Sequence, residues 1–396
     1  MNFIFFSPNF PSSYWQFCDR LKQNGATVLG IGDAPYDTLA PELRASLAEY
    51  YRVGNPESYD EVYRAVAYFA FKYGKLDWIE SNNEYWLEQD ARLRRDFNIA
   101  TGAGPEQMAL FKSKRAMKEG YLKAKIPTPR LAKIGALCQL LDFAKEVGYP
   151  LIVKPEIGVG ATGTWRLNSD EDARRFFARK PEGAYVTEEF VTGDICSYDA
   201  IANASGEPLF ESMTVWPPSI ADIVEKELDL QYYTAAEVPE ALRKLGRSAI
   251  KAFGAERRFV HLEFFRLTKA RTGLGAVGDF VGLEVNMRPA GGYTPDMMNF
   301  AHSTDCYRIW AEMVCFGERR LPARHEDHYC AYASRRDGRT YRHSHEEILA
   351  RFGKDLAMCQ RNPPMMWPQM GQQFYIAHRQ SLAEVEEFMR FVGERI

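Results

Sequence analysis

Residues 281–292, VGLEVNMRPAGG, constrain the fold of this chain more than any other stretch. Successive side chains of a strand alternate faces. Val281, Leu283 and Val285 therefore point to one side, and Glu284, Asn286 and Arg288 to the other. The first face is apolar enough to lie on a core. The second carries a carboxylate, an amide oxygen and a guanidinium in a row. Pro289 ends any ladder, and Gly291 and Gly292 let the backbone turn or approach a ligand. Residues 259–267 behave alike: His261, Glu263 and Phe265 share one face, Val260, Leu262 and Phe264 the other. The glycine-bearing stretch 268–279 between them predicts a hairpin loop. Pairing the two strands brings Glu263 beside Glu284 and Asn286, a hard-oxygen set suited to Mg2+ shared with phosphate. Solvated acids on an outer sheet face would explain one such strand. Two adjacent strands, with Asn and Arg in register, favour the metal.

The chain has 396 residues, enough for two or three domains with their own cores. A net charge of −3 offers no polyelectrolyte surface for nucleic acid. Seven scattered cysteines without a CxxC pair fit free thiols in a reducing cytosol better than disulfides or zinc. The apolar start MNFIFF has no basic flank and no small-residue cleavage site, so it predicts a first strand rather than a signal peptide. No apolar run reaches membrane-spanning length. A cytoplasmic protein with neither nucleic-acid nor membrane partner is expected.

Along the chain, a strand over 2–6, a helix over 14–24 and a strand over 27–31 predict an open parallel sheet. A helix follows over 59–73. A strand over 76–80 ends in the polar run Ser81, Asn82, Asn83 and Glu84. Ligands tend to sit at that end of parallel strands. Residues 101–105 make a linker. The apolar spacing then predicts one helix over 108–125 carrying Lys112, Lys114, Lys118 and Lys123. After a helix over 137–147, the strand LIVKP (151–155) places Lys154 before a loop containing Gly158, Gly160 and Gly163. Such a loop lets backbone N–H groups converge on phosphate oxygens while the lysine adds a point charge. No GK[ST] closes it, so it is not a Walker loop. The strand YVTEEFV (185–191) carries Glu188 and Glu189. Further strands are expected over 197–201 and 208–215, and helices over 239–253, 305–316, 345–352 and 383–392. The pairs His325/His328 and His343/His345 lack cysteine partners and predict surface or turn histidines. No Ser-His-Asp or Cys-His constellation is evident.

Lys114, Lys154, the loop 158–163, EEFV, Glu263 and LEVNMRP follow one another as in ATP-grasp enzymes, and the chain resembles that family. The resemblance is nearest to carboxylate–amine ligases, including L-amino acid (dipeptide) ligases. It is more distant to biotin carboxylase and D-alanine–D-alanine ligase. It implies a mixed α/β and α+β architecture with the ATP-grasp fold. An N-terminal open parallel α/β domain is implied over 1–104, a small lobe with a glycine-rich lid over 105–186, and a large lobe with the metal site over 187–396. It further implies that Lys114 and Lys154 contact ATP phosphates and that Gly158, Gly160 and Gly163 belong to the lid. By the same resemblance, Glu188 and the backbone of Glu189 and Val191 form the adenine hinge. Glu263, Glu284 and Asn286 bind Mg2+ or Mn2+, and Arg288 acts with Lys154 on the transferred phosphoryl group. Two positions depart from the family: Ser113 stands where many relatives have Asp, and Ile195 where a ribose-binding Glu is common. Asp194 is one residue away but on the opposite strand face. The implied reaction activates a carboxylate as an acylphosphate, releases ADP and phosphate, and couples an amine. Its partners are a small-molecule carboxylate and amine, and a homodimer is compatible with it. Two alternatives stand: a biotin-carboxylase-like subunit, and a nucleotide-binding module without turnover, which would be expected to have a broken metal set.

Overall fold

The structure, a computed structural model, describes residues 1–158, 163–216, 228–323 and 326–396. Strands β1 (Asn2–Phe6), β2 (Thr27–Gly32), β3 (Glu49–Arg52) and β4 (Trp78–Glu80) pair in parallel in the order β3-β2-β1-β4. The period-two rule is visible in β1. Phe3 and Phe5 join a core with Phe17 of helix Trp15–Gln23, while Ile4 and Phe6 join another with Val62 and Val66 of helix Tyr59–Tyr73. Both faces of the sheet are covered, as parallel sheets require. Helix Pro41–Ser46, β3 and helix Leu87–Asp96 have too little apolar periodicity to be anticipated.

A second, antiparallel sheet has the order β5-β8-β6-β7, from β5 (Leu131–Ile134), β6 (Leu151–Pro155), β7 (Trp165–Leu167) and β8 (Tyr185–Glu189). Helices Leu137–Val147 and Asp170–Arg179 pack on it through Leu140, Phe143 and Phe176. The pairing of β8 with β6 runs to Glu189, so a boundary between 186 and 187 would cut through a strand.

The third sheet has eight strands in the order β13-β12-β9-β10-β11-β14-β16-β15. They are β9 (Gly193–Ala202), β10 (Pro208–Trp216), β11 (Gln231–Thr234), β12 (Arg258–Leu267), β13 (Phe280–Asn286), β14 (Tyr329–Arg335), β15 (Leu356–Arg361) and β16 (Gln373–Arg379). Helix Glu240–Phe253 lies against Tyr198 at Gly246, where an added Cβ would sit 2.4 Å from the ring. On the other face, Trp310 of helix Cys306–Phe316 meets Phe17 and Phe3 edge-on at 4.9 and 5.8 Å. The parallel sheet is thereby fastened to the large one. A second tie is ionic. Buried Glu80, at the end of β4, reaches Arg94 at 2.8 Å and Arg258 of β12 at 3.4 Å.

The single helix expected over 108–125 is two, Pro105–Lys112 and Lys114–Lys123. Ser113 leaves the helical backbone and caps the second by accepting from Ala116 N at 3.3 Å, the ordinary use of serine at that position.

Candidate active site

The hairpin of β12 and β13 forms in the expected register. Glu263 stands directly opposite Glu284, and His261 opposite Asn286, with a one-residue irregularity just after Glu263. On the other side of β12, β9 sets Asp199 across from His261 and Ser197 across from Glu263. His261 Nδ1 lies 2.7 Å from Asp199 Oδ1, and its Nε2 lies 3.3 Å from Glu263 Oε1. Asp199 also accepts from the Ser197 hydroxyl. Burial opposes a charge on His261, but Asp199 and Glu263 outweigh it and raise the imidazolium to about 9. Burial likewise opposes ionisation of Glu263, and His261 overrides it, so that carboxyl sits below its ordinary range. Glu284 is pushed up, by burial first and by Glu263 second. The pair is uneven: one carboxylate has its cation, the other faces a like charge.

Three ammonium groups surround this pair. Lys114 and Lys118 are one turn apart on helix Lys114–Lys123, hence on one face. Lys114 Nζ is 3.8 Å from Glu284 Oε1 and donates to Gly158 O at 3.3 Å. Lys118 Nζ donates to Leu283 O at 3.2 Å. Glu188 stands between Lys154, at 2.7 Å, and Lys118, at 3.2 Å. The second contact has an ion pair's distance without a hydrogen bond's alignment, and Glu188 Oε1 has no other partner. Burial works against ionisation of Glu188, yet the two lysines draw it down to about 2. Burial also works against both lysines. Lys154, which holds the closer oxygen, is nevertheless raised, whereas Lys118 falls to about 8. Lys114 is lowered too, by burial and, against the pull of Glu284, by Lys154.

The lysine helix is fixed against β13 by its own side chains. Tyr121 Oη donates to Glu284 O at 2.9 Å, and a Cβ on Gly282 would sit 2.9 Å from the Tyr121 ring. Pro127 and Thr128 extend this contact. Gly282 N donates to Pro127 O at 2.8 Å, and Thr128 Oγ1 donates to Gly282 O at 2.9 Å. The separation between lysines and carboxylates is therefore set by backbone contacts.

The other anticipated residues fall as follows. Gly158 touches the cluster through its carbonyl, and Gly163 turns back over Pro155 with φ +74°. Gly160 lies outside the described residues, as do most of the expected lid and His325. The Glu188 side chain faces lysines. The Glu189 carboxylate is taken by Arg130 and Arg271, each at 2.9 Å, and the Val191 side chain is buried with Leu267 and Val281. The Glu189 backbone N–H donates to Arg130 O at 3.1 Å. Ile195 opposes Phe265, and Asp194 opposes Arg266 and is exposed.

Arg288 Nε sits 3.3 Å from Glu84 Oε2, in the polar loop that follows β4, and Nη1 donates to Pro289 O at 2.8 Å. A purely structural arginine would pair with a nearby acid at the sheet edge; the acid paired with Arg288 is Glu84 rather than Asp296, which accepts from Gln16 at 2.9 Å. Lys118, His261 and Asp199 lie in this cluster without having been anticipated as site residues, whereas Glu84 belongs to the polar run 81–84 expected at a ligand-binding strand end. Lys118 could have been found from its spacing to Lys114. Asp199 needs the register of a third strand.

Among the described residues no group of three His, Cys, Asp or Glu side chains could hold a metal ion; Asn286, two residues past Glu284 on the same strand face, adds an amide oxygen beside the Glu263–Glu284 pair. A Ser-His-Asp chain does exist, contrary to expectation. Ser212 Oγ is 2.9 Å from His302 Nε2, whose Nδ1 is 2.8 Å from Asp327. Ser212 is fully buried, so its hydroxyl cannot meet a substrate. His343 pairs with Glu394 at 3.5 Å, and His345, the first residue of helix His345–Phe352, lies 2.7 Å from Tyr375 Oη. No described helix is long and apolar enough to cross a membrane.

No family model matches the chain. A curated relative, the L-arginine-specific L-amino acid ligase of Bacillus subtilis, is 24% identical over 230 residues, 56% of this chain and 53% of that protein. The chain spans about half the length of the first curated relatives it matches. Among solved structures, an L-amino acid ligase from Bacillus licheniformis superposes with a TM-score of 0.71 at 15% identity, covering 99% of this chain and 96% of the other. The biotin carboxylase domain of Hydrogenobacter thermophilus 2-oxoglutarate carboxylase, solved with MgADP and bicarbonate, gives 0.67 at 16% identity, covering 98% and 89%. These likenesses span all three sheets, and the fold of this chain is the ATP-grasp fold.

Proposed function

We propose that this protein is an ATP-dependent carboxylate–amine ligase acting on amino-acid-type substrates. The observation that carries the reading is the opposed pair Glu263 and Glu284, within reach of three lysines and next to the strand end bearing Arg288. Each half of this cluster is short of opposite charge. Two carboxylates face each other, so a divalent cation fits between them. Lys114 and Lys118 are depressed by burial and by Lys154, so a polyphosphate fits beside them. Glu263, Glu284 and Asn286 would hold Mg2+, which supplies positive charge against the phosphate oxygens when bound.

In this reading an oxygen of the substrate carboxylate attacks the γ-phosphorus of ATP. The bond to the bridging oxygen breaks, and ADP leaves with those electrons. The amine then attacks the acyl carbon and phosphate departs. Negative charge gathers on phosphoryl oxygens in the first step and on a tetrahedral oxygen in the second. Lys114, Lys154 and Arg288 answer that charge by position, without a protein nucleophile. A guanidinium can hold a carboxylate by two parallel bonds, and Glu84 beside Arg288 offers an acceptor for an ammonium. The three sheets would serve as substrate-binding, lid-bearing and metal-bearing units over 1–104, 105–189 and 190–396. The 24% identity to an L-amino acid ligase supports amino-acid substrates.

The test is a screen of ADP and phosphate release over pairs of amino acids and small carboxylates. ADP formation that needs both an acid and an amine, with ligated product by mass spectrometry, is expected. AMP as the main nucleotide product, or turnover that needs bicarbonate and biotin, would overturn the reading.

A further inference from the structure

At the far end of the large sheet, four strands from β12 and so about 19 Å away laterally, a second cationic site is built. Arg335 ends β14, Gln373 begins β16 and Arg361 ends β15, and the three stand in one row because Gln373 pairs with both arginines. Directly opposed residues share a sheet face, so Arg335 and Arg361 project to the same side, with Tyr375 two residues along. They line a wide-mouthed cleft of about 390 Å3 together with Arg336, Tyr341 and His345.

Arg335 is only 8% exposed. Its Nε donates to Val392 O at 2.7 Å, at the carboxyl end of helix Leu382–Gly393, and its guanidinium lies 4.5 Å over the Tyr341 ring. Nη2 is sealed without a partner, and no carboxylate of the described residues pairs with this group. The Arg336 guanidinium donates to backbone carbonyls, those of Leu228, Trp367 and Pro368, at 3.0, 3.0 and 2.8 Å. Arg361 is forked onto Asp337 at the rim. A helix terminus offsets only a small part of what burying a guanidinium without a counter-ion costs. The cleft thus holds two guanidiniums, Arg335 and Arg336, with no carboxylate of the described residues at ion-pair distance, within a protein of net charge −3. That overall charge argues for a small anion over a nucleic acid.

We propose that this cleft is a second ligand site that takes the phosphate group of a small phosphorylated metabolite. Arg361, exposed at the rim, can exchange its two bonds to Asp337 for two to phosphate oxygens, which a guanidinium fork matches bidentately. The Tyr375 and His345 pair adds a hydroxyl and a ring nitrogen, and the volume beyond a bare ion admits a sugar or short chain.

The experiment uses the full chain carrying Lys154→Met, which weakens phosphate binding at the first cluster. Melting temperature is followed against inorganic phosphate and ribose 5-phosphate at constant ionic strength, with phosphorus NMR line broadening as a second readout. A saturable stabilisation at millimolar concentration or below is expected, tighter for the sugar phosphate. Arg335→Gln should weaken it at least fivefold. Arg361→Gln, at an exposed position, should also weaken it and serves if the first variant does not fold. No saturable effect, unchanged affinity in Arg361→Gln, or equal affinity for both probes would overturn the proposal.

Discussion

Arg258 and Glu263 lie five residues apart on β12, and each belongs to a buried charge cluster of a different kind. Around Arg258, unlike charges alternate. Glu80 Oε2 is shared by Arg94 and Arg258, and Arg94 spends its remaining donors on Ile79 O and Ala103 O at 2.9 Å each. Asp90 accepts from Ser81 N at 2.9 Å and from its hydroxyl at 2.6 Å. Around Glu263, like stands beside like: Glu263 opposes Glu284, Lys118 and Lys154 share one carboxylate, Glu188, and Lys114 has only Glu284 at 3.8 Å. The first arrangement gives each guanidinium a carboxylate from within the chain, although Glu80 Oε1, Asp90 Oδ1 and Arg258 Nε are buried without a hydrogen-bond partner, and it holds the parallel sheet to the large sheet. In the proposed function the second is completed by charges that arrive from outside. Burial alone does not distinguish the two; the sign of the nearest neighbour does.

The sharpest contrast comes from removing one carboxylate from each. Glu80→Gln leaves Arg94 and Arg258 buried without their shared anion, and unpairing a buried ion network costs about 3–5 kcal/mol. Chemical denaturation should show that loss, while the folded fraction keeps turnover within a fewfold. Unchanged stability would mean that the backbone carbonyls alone hold Arg94. Glu284→Gln should behave the opposite way. Loss of one electrostatic stabiliser lowers turnover about 10²-fold, or about 2.7 kcal/mol. Relief of its repulsion with Glu263 leaves the denaturation midpoint at or above that of the unsubstituted protein. A fall in stability with full activity at saturating Mg2+ would place Glu284 in the cohesive class and remove it from the metal site.

What was legible in the sequence follows from the range of the interactions involved. Period-two alternation in 259–267 and 281–286, with a glycine-rich connection, is a local signal, and it yields the register that opposes Glu263 and Glu284. Helix Tyr59–Tyr73 and strand β1 are legible for the same reason. The break at Ser113 is written in a capping residue, but the apolar spacing on either side overrides it. The Glu188 carboxylate is not legible as a partner of Lys118, because that contact joins two sheets' worth of chain through a helix. Glu84 with Arg288, and Ser212 with His302, depend on segments brought together only by the packing of helix Cys306–Phe316 and its neighbours. Side-chain type and strand face are thus readable, whereas the choice of partner is a tertiary property.

The smallest effect probes whether the cohesive cluster is fully ionised. Burial first, and Glu80 second, raise Asp90 to about 7, against about 3.9 for an unfolded aspartate. Between about pH 4 and pH 7 the native state therefore binds more protons at this site than the unfolded state does. Stability must fall as pH rises through that window, by at most about 1.4 kcal/mol per pH unit, and level off above it. The sign is opposite to that of a salt-bridged aspartate, whose stabilisation grows with pH. Asp90→Asn removes the titration, so the difference between its stability and that of the unsubstituted protein should slope across pH 5–7 and flatten by pH 8. Equilibrium denaturation at half-unit pH intervals measures this. Parallel profiles across the window would mean that Arg94 already holds Asp90 as an anion. The cluster would then be a complete network of two carboxylates and two guanidiniums, further still from the unbalanced cluster at the other end of β12.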